Sequence, residues 1–291
     1  MSIDINLNKG TDKPMTNNTN IPAEKTQEEA MQLVHELQQV TLAMLKDIDR
    51  VCAGYNIPYY LGEGTLLGAV RHKGFIPWDD DVDLLMMRDD YERFLKIAPE
   101  AMGEKYEIQH YTTMKNCWTP LLKVRLITDS PKFRQSHIAH VTPNNGPMID
   151  IFPLDNVPAL SSPAQTWQGT KMRILRGTLS QKMGTAEANS FAAKALRLVS
   201  HFVTRDFLFR CINRNYVRYN SPDNKYIVCL ASYYKVQKET FPKEAFGEPV
   251  RVPFEDGMFP IPQDADLILT TVYGDYMTPP PPEKRVIKHH F

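Results

Sequence analysis

The spacing of apolar positions changes along the chain, and each change marks an element. Residues 1–25 are rich in Asn, Thr, Lys and Asp and have too little apolar surface to offset the entropy of ordering, so they are expected to form a disordered tail. Thr26, with Glu29 three residues on, has the form of a capping box; Met31, Val34, Leu37, Leu45, Ile48 and Cys52 then recur at helical spacing until Gly54. One long amphipathic helix is predicted. Tyr59-Tyr60-Leu61 reads as a short strand, Gly62-Glu63-Gly64-Thr65 as a turn into a second helix over Leu66 to Val70, and Leu84 to Met87 as a buried strand. A helix from Asp89 to about Ala98 follows, then apolar runs near Tyr106 to Tyr111, Leu121 to Thr128 and Met148 to Phe152. This alternation predicts an α+β fold, a mixed sheet flanked by helices.

Beyond Thr166 the pattern becomes helical, with Val199, Phe202, Val203, Phe207, Leu208 and Ile212 at helical intervals. Val250 to Ile261 resembles a hairpin, Asp264 is placed to cap a helix running to Tyr273, and Pro279 to Pro282 predicts a stiff extended tail. The expected organisation is a tail over 1–25, a catalytic core over 26–160, a basic helical subdomain over 161–235, and a C-terminal hairpin, helix and proline-rich segment over 236–291 packing on the core.

Composition narrows the class. The chain has 291 residues, 42% of them apolar, and 34 Lys+Arg balance 34 Asp+Glu, so a uniformly basic surface for nucleic acid is disfavoured. No stretch approaches the ~18 to 20 apolar residues of a bilayer-spanning helix, and the N-terminus lacks the apolar centre of a signal peptide, which makes the cytosol the expected address. Cys52, Cys117, Cys211 and Cys229 are scattered without a zinc-ligand spacing and read as reduced thiols. The zero net charge conceals a contrast. Seven acids fall between positions 79 and 92, whereas residues 166–220 carry ten Lys/Arg against Glu187 and Asp206 alone. That basic stretch suits either an ordinary charged helical exterior or peripheral contact with an anionic membrane at the inner face of the plasma membrane.

The chemistry concentrates at Trp78-Asp79-Asp80-Asp81-Val82-Asp83. In a strand Asp81 and Asp83 share a face while Val82 points to the core, and two parallel carboxylates either raise one pKa or hold a divalent cation. Hard oxygen ligands suit Mg²⁺ or Mn²⁺. Asp79 and Asp80 are expected to orient the turn or support the ligands. Gly64-Thr65, at the start of a helix, has the geometry that attracts phosphate; at its end Arg71 is the candidate catalytic cation that would balance charge on a donor, while His72 and Lys73 would assist it or simply complement the helix dipole. Lys123 and Arg125 share a face of a later strand, within reach of phosphate or along a solvated edge. Asp150 sits between Ile149 and Ile151, where an unpaired charge is costly.

The twenty residues from Gly64 through Asp83 resemble the signature of the LicD family of phosphotransferases, part of the nucleotidyltransferase superfamily. Met148 to Asp155 is similar to the family's second block and Tyr273 to Pro280 to its C-terminal block. The resemblance implies a nucleotidyltransferase-like fold, with Asp81 and Asp83 as paired metal ligands and Asp150 as the third carboxylate, acting as ligand or base; Asp155 is read as structural. It also implies transfer of an alcohol phosphate, most often phosphocholine, from a CDP-alcohol donor such as CDP-choline to a sugar hydroxyl of a cell-surface glycan or lipid-linked glycan (lipopolysaccharide, teichoic acid or capsule), with release of CMP. Glu63 before the glycine, Thr65 after it and a long spacer to Asp81 depart from the wider superfamily. A nucleotidyltransferase that releases pyrophosphate from an NTP is the competing reading, and a noncatalytic binding module is disfavoured because all three acids are present. A choline head group would ask for an aromatic box, for which Trp118, Trp167, Tyr233 and Tyr234 are candidates.

Overall fold

The computed structural model describes residues 27–135, 138–160, 162–232, 234–285 and 287; the expected tail, the Thr26 cap and Tyr233 lie outside the described residues. Helix α1 (Gln27–Gly54) turns Leu45, Ile48 and Cys52 inward, as its periodicity requires. After it come β1 (Tyr60–Leu61), α2 (Glu63–His72), β2 (Asp83–Met87), α3 (Arg88–Ala101), β3 (Tyr106–Gln109), β4 (Leu122–Leu126) and the long β5 (Met148–Val157). The expected α+β class is the one observed.

Helix α2 begins three residues earlier than the sequence suggests. Gly62, extended at φ −123°, ends β1 and caps the helix, so Gly64 and Thr65 belong to its first turn instead of a preceding loop.

Among the described residues seven strands form one sheet, in the order β1-β2-β5-β4-β3, with β6 (Tyr226–Val228) pairing the end of β5 and β7 (Thr240–Pro242) pairing β6. β2 and β5 run parallel, with Asp83 opposite Asp150 and Met87 opposite Leu154. β4 lies antiparallel on the other side of β5, with Lys123 opposite Asp150. Because β4 is an interior strand, Lys123 and Arg125 are buried, and the solvated edge considered from sequence does not exist.

The 166–220 stretch folds into α4 (Pro163–Met183), α5 (Phe191–Phe202) and α6 (Arg205–Tyr216), capped by the hydroxyls of Ser162, Ser190 and Thr204. Leu208 and Ile212 of α6 join the same apolar cluster as Leu84 of β2 and Ile151 of β5. The predicted hairpin is β8 (Val250–Phe254) with β9 (Gly257–Ile261), and α7 (Ala265–Tyr273) is capped by Asp264, whose carboxylate accepts from the Leu267 amide at 3.0 Å.

One buried ion pair closes the C-terminal end of the β2–β5 pair. Arg88 donates twice to Asp155, at 2.8 and 2.6 Å, and the two residues are only 7% and 0% exposed. The guanidinium carbon lies 5.2 Å from the ring centroids of both Tyr91 and Tyr216, so charge and aromatic faces together hold it. His110 is buried nearby, and burial followed by the Arg88 charge lowers its pKa to about 4.

Two outcomes follow from this corner. Asp155→Ala strands a buried guanidinium and should lower stability by about 3–5 kcal/mol in urea unfolding, whereas replacing both partners by apolar residues (R88M/D155L) should cost far less; equal losses would refute the account. For His110 the folded form resists a proton that the unfolded chain accepts near pH 6.5, so stability should fall as pH drops from about 6.5 to 4. At 1.36 kcal/mol per pKa unit the total is about 3 kcal/mol, and H110N should flatten that slope.

Candidate active site

The site is organised by how the backbone of Asp83 is pinned. Its amide donates to the Thr65 hydroxyl at 2.9 Å, and its carbonyl accepts from the Gly62 amide at 2.9 Å. One residue earlier, the Val82 carbonyl accepts from the Asp150 amide at 3.0 Å. These bonds leave the Asp83 side chain beside Asp150 on the neighbouring strand. Burial, and then the carboxylates of Asp81 and Asp150, push Asp83 well above the usual carboxylate range.

Gly64 serves the same corner. A Cβ there would stand 2.5 Å from Asp79 Oδ2, so only glycine lets that carboxylate lie against the first turn of α2. At the turn expected to meet a phosphate, the Asp79 carboxylate lies beside Gly64, and the Thr65 hydroxyl is buried against the Asp83 amide. Asp79 and Asp80 are buried, and Asp79, Asp80 and Asp81 can each aim one carboxylate oxygen to within 4.8 Å of the others. An all-oxygen donor set of this kind, bordered by Asp83, suits Mg²⁺ or Mn²⁺.

Asp150 faces a cation on its other side. Lys123 Nζ donates to its two oxygens at 2.5 and 2.7 Å and lies 5.5 Å from the ring centroid of Trp118. Arg125, expected to share a phosphate-facing surface with Lys123, is instead wholly buried. Its guanidinium is bonded to the Gln109 side chain at 3.0 Å and to the Gly146 carbonyl, and burial lowers its pKa to about 10. It buttresses the sheet.

Lys123 and Asp150 open into a cleft of about 390 Å³. Trp118 lies beside them, α4 forms one wall through Met172, Arg173, Arg176 and Ser180, and Cys229, Leu230, Ser232, Tyr234 and Val236 form the other. Arg176 ties the walls together by donating to the Ser232 carbonyl at 2.8 Å. Of the three carried-over acids, Asp150 alone lines this cleft. The indole N–H of Trp118 is buried with no acceptor among the described residues.

The basic residues after α2's first turn are placed elsewhere. Arg71 donates to the Tyr276 carbonyl at 2.7 Å, His72 stands edge-on to Trp78 with centroids 6.5 Å apart, and Lys73 is exposed in the left-handed C-cap at φ 58°. Arg71 is thereby tied to the C-terminal block, seven residues and about 10 Å along the helix from Gly64. Of the aromatic candidates, Trp118 and Tyr234 line the cleft, whereas Trp167 is 57% exposed on the outside of α4.

Comparison with known proteins bears on this geometry. Residues 56–166 match the family described as LicD/FKTN/FKRP, nucleotidyltransferase domain. Over 266 residues, 88% of this chain and 96% of the other, the chain is 31% identical to the lipopolysaccharide cholinephosphotransferase LicD of Haemophilus influenzae. The chain belongs to the LicD family. Two uncharacterized rickettsial proteins share shorter stretches: one of Rickettsia typhi is 43% identical over 67 residues, 23% of this chain and 22% of that protein. One of Rickettsia prowazekii is 31% identical over 114 residues, 33% and 43% of the two lengths.

The LicD domain match spans the carboxylate strands and stops at the start of α4, before the residues of the cleft's far walls. Arg173, Arg176 and Ser232 were not singled out by sequence reasoning. Arg173 and Arg176 are three apart beside Gly177, a spacing that puts them on one helix face, but within a run of ten cations they read as a charged exterior. Glu63 was noted only as a departure. It adopts φ 45°, and one of its carboxylate oxygens lies within 4.8 Å of Cys229 and Glu239 donor atoms. Burial and then Glu63 push Glu239 well above the usual carboxylate range.

Thr65→Val should leave the buried Asp83 amide without its acceptor and lower stability by about 1–3 kcal/mol in denaturant unfolding, while Thr65→Ser should recover most of it. Equal losses in Val and Ser would show that the methyl packing, and not the hydroxyl, matters.

Proposed function

We propose that this LicD family member is a transferase that moves phosphocholine, or a closely similar alcohol phosphate, from a CDP-linked donor to a sugar hydroxyl of lipopolysaccharide or a comparable surface glycan, releasing CMP. The relative of known name that aligns along most of the chain supports the reaction class. The observation that carries the reading on this chain's own residues is the cleft: Asp150 and Lys123 at one side, two arginines on α4, and the Trp118 and Tyr234 rings in the same cavity. A phosphate ester with a quaternary ammonium head group needs cations for its oxygens and aromatic faces for its methyl-bearing nitrogen.

In this reading Lys123, Arg173 and Arg176 take the charge of the donor phosphates, and the unpartnered Trp118 N–H supplies a further donor. The acceptor's oxygen attacks phosphorus, the bond from phosphorus to the CMP oxygen breaks, and CMP leaves with the bonding electrons. The acceptor's proton passes to a carboxylate oxygen of Asp150, the acid that reaches the cleft, and Lys123 Nζ holds that carboxylate in orientation. Arg71 positions the C-terminal block through the Tyr276 carbonyl. Mg²⁺ or Mn²⁺ would be held by Asp81 and Asp83 with support from Asp79 and Asp80, leaving Asp150 as the base, and when bound would supply charge neutralisation on the donor phosphates.

The test is CMP release from CDP-choline, CDP-ethanolamine and CDP-glycerol, with and without Mg²⁺. Release from CDP-choline, abolished by EDTA and reduced at least about 100-fold in folded Asp81→Asn, Asp83→Asn and Asp150→Asn, is expected. Pyrophosphate release from an NTP, with no CMP from any CDP-alcohol, would replace this reading by nucleotidyl transfer.

A further inference from the structure

Helix α5 is inside out. Its inward side is slight: Ser200 is buried, and Ala193 and Leu196 are partly so, with Leu196 packed close against Gly177 of α4. The rest of its large apolar residues point the other way. Phe191, Ala195, Leu198 and Phe202 recur at helical spacing along the outer face, and Phe191 and Phe202 are 90% and 82% exposed. Lys194, Arg197 and His201 run along one edge of that stripe, and all three are exposed. On α6, Phe207, Arg210 and Arg214 are also exposed. Among the described residues no carboxylate lies within salt-bridge distance of Lys194, Arg197, Arg210 or Arg214, and the ion pair nearest in sequence is Arg205 with Asp206.

An aromatic stripe left in water is unfavourable unless something covers it. Here it is bordered by unneutralised cations, and a basic helix with Phe and Leu on one face is the combination that settles at the boundary between lipid head groups and acyl chains. Among the described residues no helix is long and apolar enough to cross a membrane, so the contact would lie on the surface. We propose that the outer face of α5, bordered by cations of α5 and α6, docks the protein on an anionic lipid bilayer. The other side of α5 rests on α4, whose Arg173 and Arg176 wall the cleft, so docking would hold the cleft at a fixed height above the lipid surface. That geometry suits an acceptor anchored in the same membrane, a point that rests on the function proposed above; the docking itself does not.

The test uses the full chain and no substrate. Co-sedimentation is measured with vesicles of phosphatidylcholine alone and with about a third phosphatidylglycerol, at about 50 mM and about 500 mM salt. The protein is expected to bind the anionic vesicles at low salt, to bind them at least about 10-fold less at high salt, and to ignore the neutral ones. Phe191→Ser with Phe202→Ser should weaken anionic binding at least about 10-fold with an unchanged melting temperature, and Lys194→Glu with Arg197→Glu provides a second variant that leaves the rings in place. No binding to anionic vesicles at low salt, or equal binding by wild type and both variants, overturns the proposal. So does a wild-type dimer in sedimentation velocity that F191S/F202S converts to monomer without any vesicle binding, because the stripe is then covered by a second copy. The vesicle result stands whether or not a CDP-alcohol is turned over.

Discussion

Parallel pairing of β2 with β5 sets Asp83 level with Asp150, and two carboxylates so placed repel unless a proton or a cation comes between them. Much of the surrounding structure answers that constraint. Lys123, opposite Asp150 on the third strand, takes both of its oxygens, while among the described residues no lysine pairs with Asp83 and its proton affinity rises instead. The backbone cannot relax the strain by shifting register, since Gly62 and Thr65 grip Asp83 from one side and Asp150 binds the preceding carbonyl from the other. Charge concentration here is built in by hydrogen bonds whose removal would cost stability.

The same two strands end in the opposite electrostatic situation. Where acid meets acid at the head of the pair, Arg88 meets Asp155 just past its tail, dry and stacked between two tyrosine rings. A buried pair of this kind contributes little net stability over apolar residues, yet it penalises every arrangement that separates the partners. It therefore fixes the register at one end and so keeps the repelling acids opposed at the other.

Local patterns made most of the elements legible in sequence. The 3.6-residue spacing in α1, the apolar run of β2 and the Asp264 cap each depend on residues a few positions apart, and each is found where its spacing puts it. What sequence could not show was partnership across the sheet. Lys123 and Arg125 look equivalent along a strand, but one faces Asp150 and the other Gln109 and Gly146, because their neighbours come from distant segments. The start of α2 was misplaced for a related reason: the room Gly64 provides is filled by Asp79, fifteen residues on and invisible to periodicity. The cleft was legible only as disconnected pieces, an acid on one block and a cationic run on another. Its two aromatic walls were candidates without a geometry that separated them from Trp167.

The opposed acids are separated along the chain by the same 67 positions as Arg88 and Asp155. Between them the chain runs through α3, β3 and β4, and β5 lies in the sheet between β2 and β4. A parallel pairing across so long a loop is slow to form, because loop closure is entropically paid in advance of any contact it brings. The two acids face one another only once β2 and β5 have paired. Any ligand that bridged both acids would therefore bind the paired strands and draw the folding equilibrium toward the native state.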